Sequence, residues 1–138
     1  MSIKLTFKGF DEMMERIEKA GGDIAATTEK AMREAAQVQQ DELTSQMRNA
    51  GVSSHLVSDM PAPRIEWSGN RCSVKVGYPV GSYDPNNLTD GFKAIFLNYG
   101  TPRIAPRNFV TPAKKAAAPA IKKAIKSALE EILKELEA

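Results

Sequence analysis

The stretch Arg64-Ile65-Glu66-Trp67-Ser68-Gly69-Asn70-Arg71-Cys72-Ser73-Val74-Lys75-Val76 decides the fold class. Ile65 and Trp67 alternate with polar residues, Gly69-Asn70 suits a tight two-residue turn, and Cys72, Val74 and Val76 alternate on the return. Alternation at period two on both sides of such a turn predicts an antiparallel hairpin with one face buried. Near the N-terminus, Ile3, Leu5 and Phe7 have the same period and predict a half-buried strand over residues 2 to 8.

Helical spacing takes over between these strands. Asp11 is a candidate N-cap for a short helix carrying Met13, Met14, Ile17 and Ala20, which Gly21-Gly22 should end. Asp23 then offers a cap for a long helix from about Ile24 to Asn49, free of Gly and Pro, with Gly51 placed to stop it. Its packing stripe, Thr28, Met32, Ala35, Ala36, Gln39, Leu43 and Met47, is mostly small, so a close approach to a sheet is expected. Residues 51 to 63 show no sustained period and are read as a loop, as is Tyr78 to Gly91, a long mobile surface loop of the kind at which partners dock. Phe92 to Tyr99 is rich in aromatic and branched side chains and is read as a further buried strand.

At the C-terminus, Ile121, Ala124, Ile125, Ala128, Leu129, Ile132, Leu133 and Leu136 recur at spacings of three and four, an amphipathic helix. Either Asn108 or Thr111 is a candidate cap for it, and Pro119 either kinks it or marks where its regular part begins. The sum is an α+β fold in one domain, residues 1–138. A small antiparallel sheet, made of the N-terminal strand, the central hairpin and a strand near 92–99, is packed by a long helix near 24–49 and a C-terminal helix.

Composition narrows the function classes. At 42% hydrophobic and 26% charged residues the chain has the balance of a globular protein. No apolar run approaches the roughly 20 residues a membrane helix requires, and the alternating N-terminus does not resemble a secretory signal, so no membrane partner and a cytoplasmic site of synthesis are expected. Cys72, the single cysteine, reads as a small buried apolar side chain. The net charge of +2 is unevenly spread, because Gly91 to Leu129 contains no Asp or Glu. That window holds Lys93, Arg103, Arg107, Lys114, Lys115, Lys122, Lys123 and Lys126; of these, Arg103 and the five lysines of the last helix form a candidate basic face. The same helix crowds Glu130, Glu131, Glu135 and Glu137 into its second half, the reverse of the order its dipole favours. External partners are therefore expected to set the pattern, for instance a neighbouring identical subunit, or DNA met non-specifically.

No catalytic, cofactor or metal constellation emerges. His55 is the only histidine, in a serine-rich loop with no second His or Cys beside it, and Ser53, Ser54 and Ser58 lack the setting of a nucleophilic triad. The acidic pairs Asp11-Glu12, Asp41-Glu42 and Glu130-Glu131 diverge by about 100° on helices. Neither Gly21-Gly22 nor Gly77 to Gly81 is followed by the Lys-Ser/Thr of a phosphate loop.

The remaining signal is Phe96-Leu97-Asn98-Tyr99-Gly100-Thr101, then Ala105-Pro106-Arg107-Asn108-Phe109-Val110-Thr111-Pro112-Ala113 and a charged last helix. Pro102, Pro106 and Pro112 each fix a backbone angle and stiffen the passage into that helix. The stretch resembles the HK-type bacteriophage head-tail joining or tail-completion family, in which a strand ending in an acidic residue, an aromatic, Gly and Thr passes through a proline-rich elbow into the last helix. Asn98 stands where an acidic residue is common, and Asn108 where a proline is usual. The resemblance covers nearly the whole chain. It implies an α+β structural protein without catalysis or cofactor, assembled with itself into a ring at the phage neck. Connector and tail proteins would be its partners, and it would move from the host cytoplasm during assembly to the virion neck or tail. Tyr99, Gly100, Thr101, Pro106, Arg107, Phe109 and Pro112 are the implied elbow and interface residues.

Overall fold

The computed structural model describes residues 1–79, 81 and 83–138. Its elements are β1 (Ser2–Thr6), α1 (Asp11–Lys19), α2 (Ile24–Asn49), α3 (Ser54–Ser58), β2 (Arg64–Ser68), β3 (Arg71–Gly77), α4 (Asp90–Tyr99) and α5 (Val110–Leu136). The α+β class expected from the sequence is what the chain adopts.

The hairpin forms as its alternation requires. β2 and β3 are joined by Gly69-Asn70 with Gly69 at φ +59°, and β1 adds antiparallel to the other side of β3, giving the order β1-β3-β2. The register sets Leu5, Val74 and Ile65 in one row, with Ile3 beside Val76 and Trp67 beside Cys72. One face of the sheet therefore enters the core, while Lys4, Thr6, Glu66, Ser68 and Arg71 face solvent.

The third strand expected near 92–99 is instead the helix α4. The aromatic run misleads because a short apolar stretch satisfies both periods. Thr89 caps it, its hydroxyl accepting from the Phe92 amide at 3.5 Å, and Asp90 sits favourably in the first turn. Ala94 and Asn98, four residues apart, are buried, whereas Tyr99 remains 65% exposed. Gly91, assigned to a loop from sequence, lies inside this helix. The loop ahead of it falls partly at positions 80 and 82, outside the described residues. Residues 51–63 likewise hold the short helix α3, capped by Ser53.

Helix α2 is the centre of the molecule. It runs from Ile24 to Asn49, is capped by Asp23 through the Ala26 amide at 3.1 Å, and gives way to Gly51 at φ +76°. All seven residues of its expected stripe are buried. Met32, Ala36, Leu43 and Met47 join Ile3, Val74, Val76, Tyr78 and Phe109 in one core. The small residues Ala31 and Ala35 serve a second core, with Ile17 of α1 and Ile125, Ala128, Leu129 and Leu133 of α5. Small side chains on α2 thus admit α5 on this side, while Ala36 lies in the core shared with the sheet, on which α2 packs as expected. Gln39 donates to the Ala113 carbonyl at 3.1 Å, and Leu136 lies beside Gly22, so α5 runs antiparallel to α2. The capping of α1 differs from expectation, since Phe10 holds the cap position and Asp11 is the first helical residue.

Cys72 is buried as expected, and burial pushes its thiol pKa up. Among the described residues, no helix is long and apolar enough to cross a membrane.

Candidate functional site

The elbow expected between strand and helix joins two helices instead, running from Gly100 to Phe109 between α4 and α5. It begins with a turn that only glycine permits. Gly100 has φ +81° and ψ 172°, and a Cβ there would stand 2.8 Å from the Ile104 carbonyl oxygen and 2.9 Å from Pro106. The chain then folds back on itself, Thr101 and Ile104 exchanging backbone hydrogen bonds of 2.8 and 3.2 Å. The Thr101 hydroxyl accepts from the amides of Arg103 and Ile104, closing the turn with Pro102 and Arg103 at its tip. Arg103 is exposed, and Ile104 is 41% exposed.

The second half is tied to three helices. The Arg107 amide donates to the Leu97 carbonyl at 2.9 Å and the Asn108 amide to that of Asn98 at 3.1 Å, so the returning chain pairs with the end of α4. The Arg107 guanidinium donates to the Gly51 carbonyl at 2.8 Å and the Ala50 carbonyl at 3.5 Å, placing a cation at the C-terminus of α2, where the helix dipole favours it. Finally, the buried Asn98 side-chain oxygen accepts from the amides of Phe109 and Val110 at 2.9 and 3.0 Å. These are the first free amides of α5, and a helix start buried without such a partner would be unsatisfied. The cap comes neither from Asn108 nor from Thr111, as the sequence suggested, but from α4, and no local spacing signals it.

Of the elbow residues, Phe109 is fully buried and locks the start of α5 into the core. Pro112 occupies the first turn of α5, where its missing amide is no loss. Tyr99 projects outward. Helix α5 continues through Pro119, which is exposed, so the Lys115 carbonyl left without its usual donor can be hydrated.

The basic residues fall into two groups. Arg107 is engaged as above, Lys93 lies 3.9 Å from Asp90, and Lys126 lies 4.0 Å from Glu130. Arg103, Lys114, Lys115, Lys122 and Lys123 are exposed and have no salt bridge among the described residues.

An open groove of about 550 Å³ lies between α3 and α4, with Leu56, Leu88, Phe96 and Ile104 as apolar lining and His55 and Arg107 among its polar groups. Among the described residues, no group of three or more His, Cys, Asp or Glu side chains is arranged to hold a metal ion. No protein-family model, curated protein or solved structure matches this chain.

Proposed function

We propose that this chain is a structural subunit, not an enzyme, that joins head and tail of a tailed bacteriophage or prophage, or completes the tail, by assembling with itself into a ring at the neck. On this reading its partners are identical copies together with connector and tail proteins, and it passes from the host bacterial cytoplasm into the virion neck or tail.

The observation that carries the reading is the double anchoring of the elbow. Asn98 holds the start of α5 and Arg107 holds the end of α2, so the elbow fixes the angle of the lysine-bearing helix against the rest of the molecule. A ring subunit needs that rigidity, because an angular error repeated at every contact prevents closure. The geometry also accounts for one departure from the resembled pattern. Position 98 needs an acceptor facing two helix amides, and a carboxylate would serve as well as the Asn98 amide oxygen. Two departures remain. Asn108 sits at φ +47°, which proline cannot adopt, and the elbow here follows a helix rather than a strand.

The test is reconstitution. Heads and tails collected from particles that lack this chain should join on addition of the purified protein, whereas failure to join, with heads and tails shown competent, contradicts the proposal. A second reading, a non-specific DNA-binding accessory module, is favoured by the exposed lysines of the acid-free window. Gel-shift binding that weakens steeply with salt, without assembly onto connectors, would support it instead.

A further inference from the structure

Two stripes of opposite charge occupy different ends of the molecule. Helical residues advance by about 100° each, which brings Lys115, Lys122 and Lys126 of α5 into one sector about 40° wide, flanked by Lys114 and Lys123. All five are exposed. On α1 the same geometry brings Asp11, Glu15 and Glu18 into a sector about 60° wide, also exposed. Helix α1 packs on α5 near its glutamate-bearing end, where Arg16 meets Glu137 at 3.5 Å. The acidic pole therefore combines α1 with Glu130, Glu131 and Glu135.

Within one chain the two poles meet only at their junction, where Lys126 lies 4.0 Å from Glu130, and on α1 Glu15 pairs with Lys19 at 3.1 Å. Both are exposed pairs of little energy, and Lys114, Lys115, Lys122 and Lys123 have no salt bridge among the described residues. Lys115 and Glu131 lie about 24 Å apart along the helix, three times the screening length of about 8 Å at physiological salt. Nor does the dipole of α5 favour this order of charge. A complement for the four unpaired lysines must therefore come from another molecule, and the chain itself presents one in the α1 stripe, where Asp11 and Glu18 have no salt bridge among the described residues.

We propose that the lysine stripe of α5 in one copy docks on the acidic stripe of α1 in a second copy. The proposal rests on the ring-subunit reading and names the contact that would build the ring. The axial repeats agree, since Lys122 to Lys126 and Asp11 to Glu15 both span about 6 Å. Crossing antiparallel, the helices set Lys126 against Asp11 and Lys122 against Glu15. Exposed ion pairs alone contribute little, so accompanying apolar surface matters. Ala118 and Pro119 are exposed between Lys115 and Lys122, and half-buried Phe10 lines a shallow groove beside Asp11 and Glu12, which Arg16 also lines. Because the contact joins two different patches, each copy keeps one unused stripe of either sign, and growth continues until the ring closes.

Charge exchange in the full-length chain tests this. Sedimentation velocity at low salt should show association that high salt reverses. K122E/K126E and E15K/E18K should each weaken it at least tenfold while unfolding at the wild-type temperature, and an equimolar mixture of the two should associate again. Because oppositely charged variants attract one another non-specifically, a second readout fixes the site. E15C chains mixed with K122C chains under mild oxidation should give a disulfide-linked heterodimer, the native Cys72 being buried. Association unchanged by either reversal, or absence of that heterodimer, overturns the proposal. So does duplex DNA binding that depends on the lysine stripe in a chain that never self-associates. Normal joining by both reversal variants, in a chain shown to be needed for joining, removes this contact and leaves the head-tail reading in place.

Discussion

Asn98 accepts the amide of Phe109 at 2.9 Å across a ten-residue elbow, so the last turn of α4 supplies the N-terminal cap of α5. The same oxygen takes the Val110 amide, and both bonds are buried. Replacing Asn98 by Ala strands two amides in the core. A loss of about 2–3 kcal/mol is expected, more than a surface cap would give. Asn98→Asp keeps the acceptor at a helix N-terminus and should retain most of that stability at neutral pH. Urea unfolding of both variants decides; equal losses would show that the acceptor is not what matters.

Gly100 makes a second expectation. At φ +81° and ψ 172°, with the Ile104 carbonyl 2.8 Å from the place of a Cβ, Gly100→Ala must strain or reopen the Thr101–Ile104 turn. A cost of about 1–3 kcal/mol is expected by thermal or urea unfolding, and a neutral substitution would contradict the geometry.

Arg107 is exposed, so its two bonds to the end of α2 are screened by solvent. Arg107→Ala should cost no more than about 1 kcal/mol in unfolding experiments. Its effect on assembly should be larger than on folding, because it frees the elbow without removing any core contact. Reconstituted joining that is as efficient with this variant as with wild type would count against a role for elbow rigidity.

Tyr78 sets the alkaline limit. It is buried, its hydroxyl donates to the Leu56 carbonyl, and burial, aided by the charges of Asp90 and Asp59, pushes its pKa up to about 12. The folded state therefore holds the phenolic proton more tightly than the unfolded chain, whose tyrosine titrates near 10. The stability this contributes is intact below about pH 10 and is lost as pH rises towards about 12. Tyr78→Phe, though less stable at neutral pH for want of the hydrogen bond, should lack this part of the alkaline decline. Parallel unfolding curves for the two proteins between about pH 9 and about 12 would exclude the assignment.

What could be read from the sequence was what short-range chemistry determines. The Gly69-Asn70 hairpin, the cap at Asp23, the stop at Gly51 and the buried stripe of α2 each depend on neighbours within a few residues. Residues 92–99 read as a strand because Phe92, Phe96 and Tyr99 satisfy aromatic strand preference and helical spacing alike. The signal that separates the two was present in Thr89-Asp90, a cap followed by a first-turn acid. The elbow was legible as a stiff segment from its prolines and glycine. Its anchors were not, since Asn98 and Val110 are twelve residues apart, and Arg107 meets Gly51 at a separation of fifty-six. The lysines were visible as a charge window, whereas the acidic stripe of α1 acquires meaning only once α1 is seen packed at the far end of α5.

Electron microscopy of particles assembled without this chain tests the central claim most directly. If the chain joins head to tail, or completes the tail so that it can join, the preparation should contain DNA-filled heads and separate, finished tails. Intact virions in normal yield would contradict the claim.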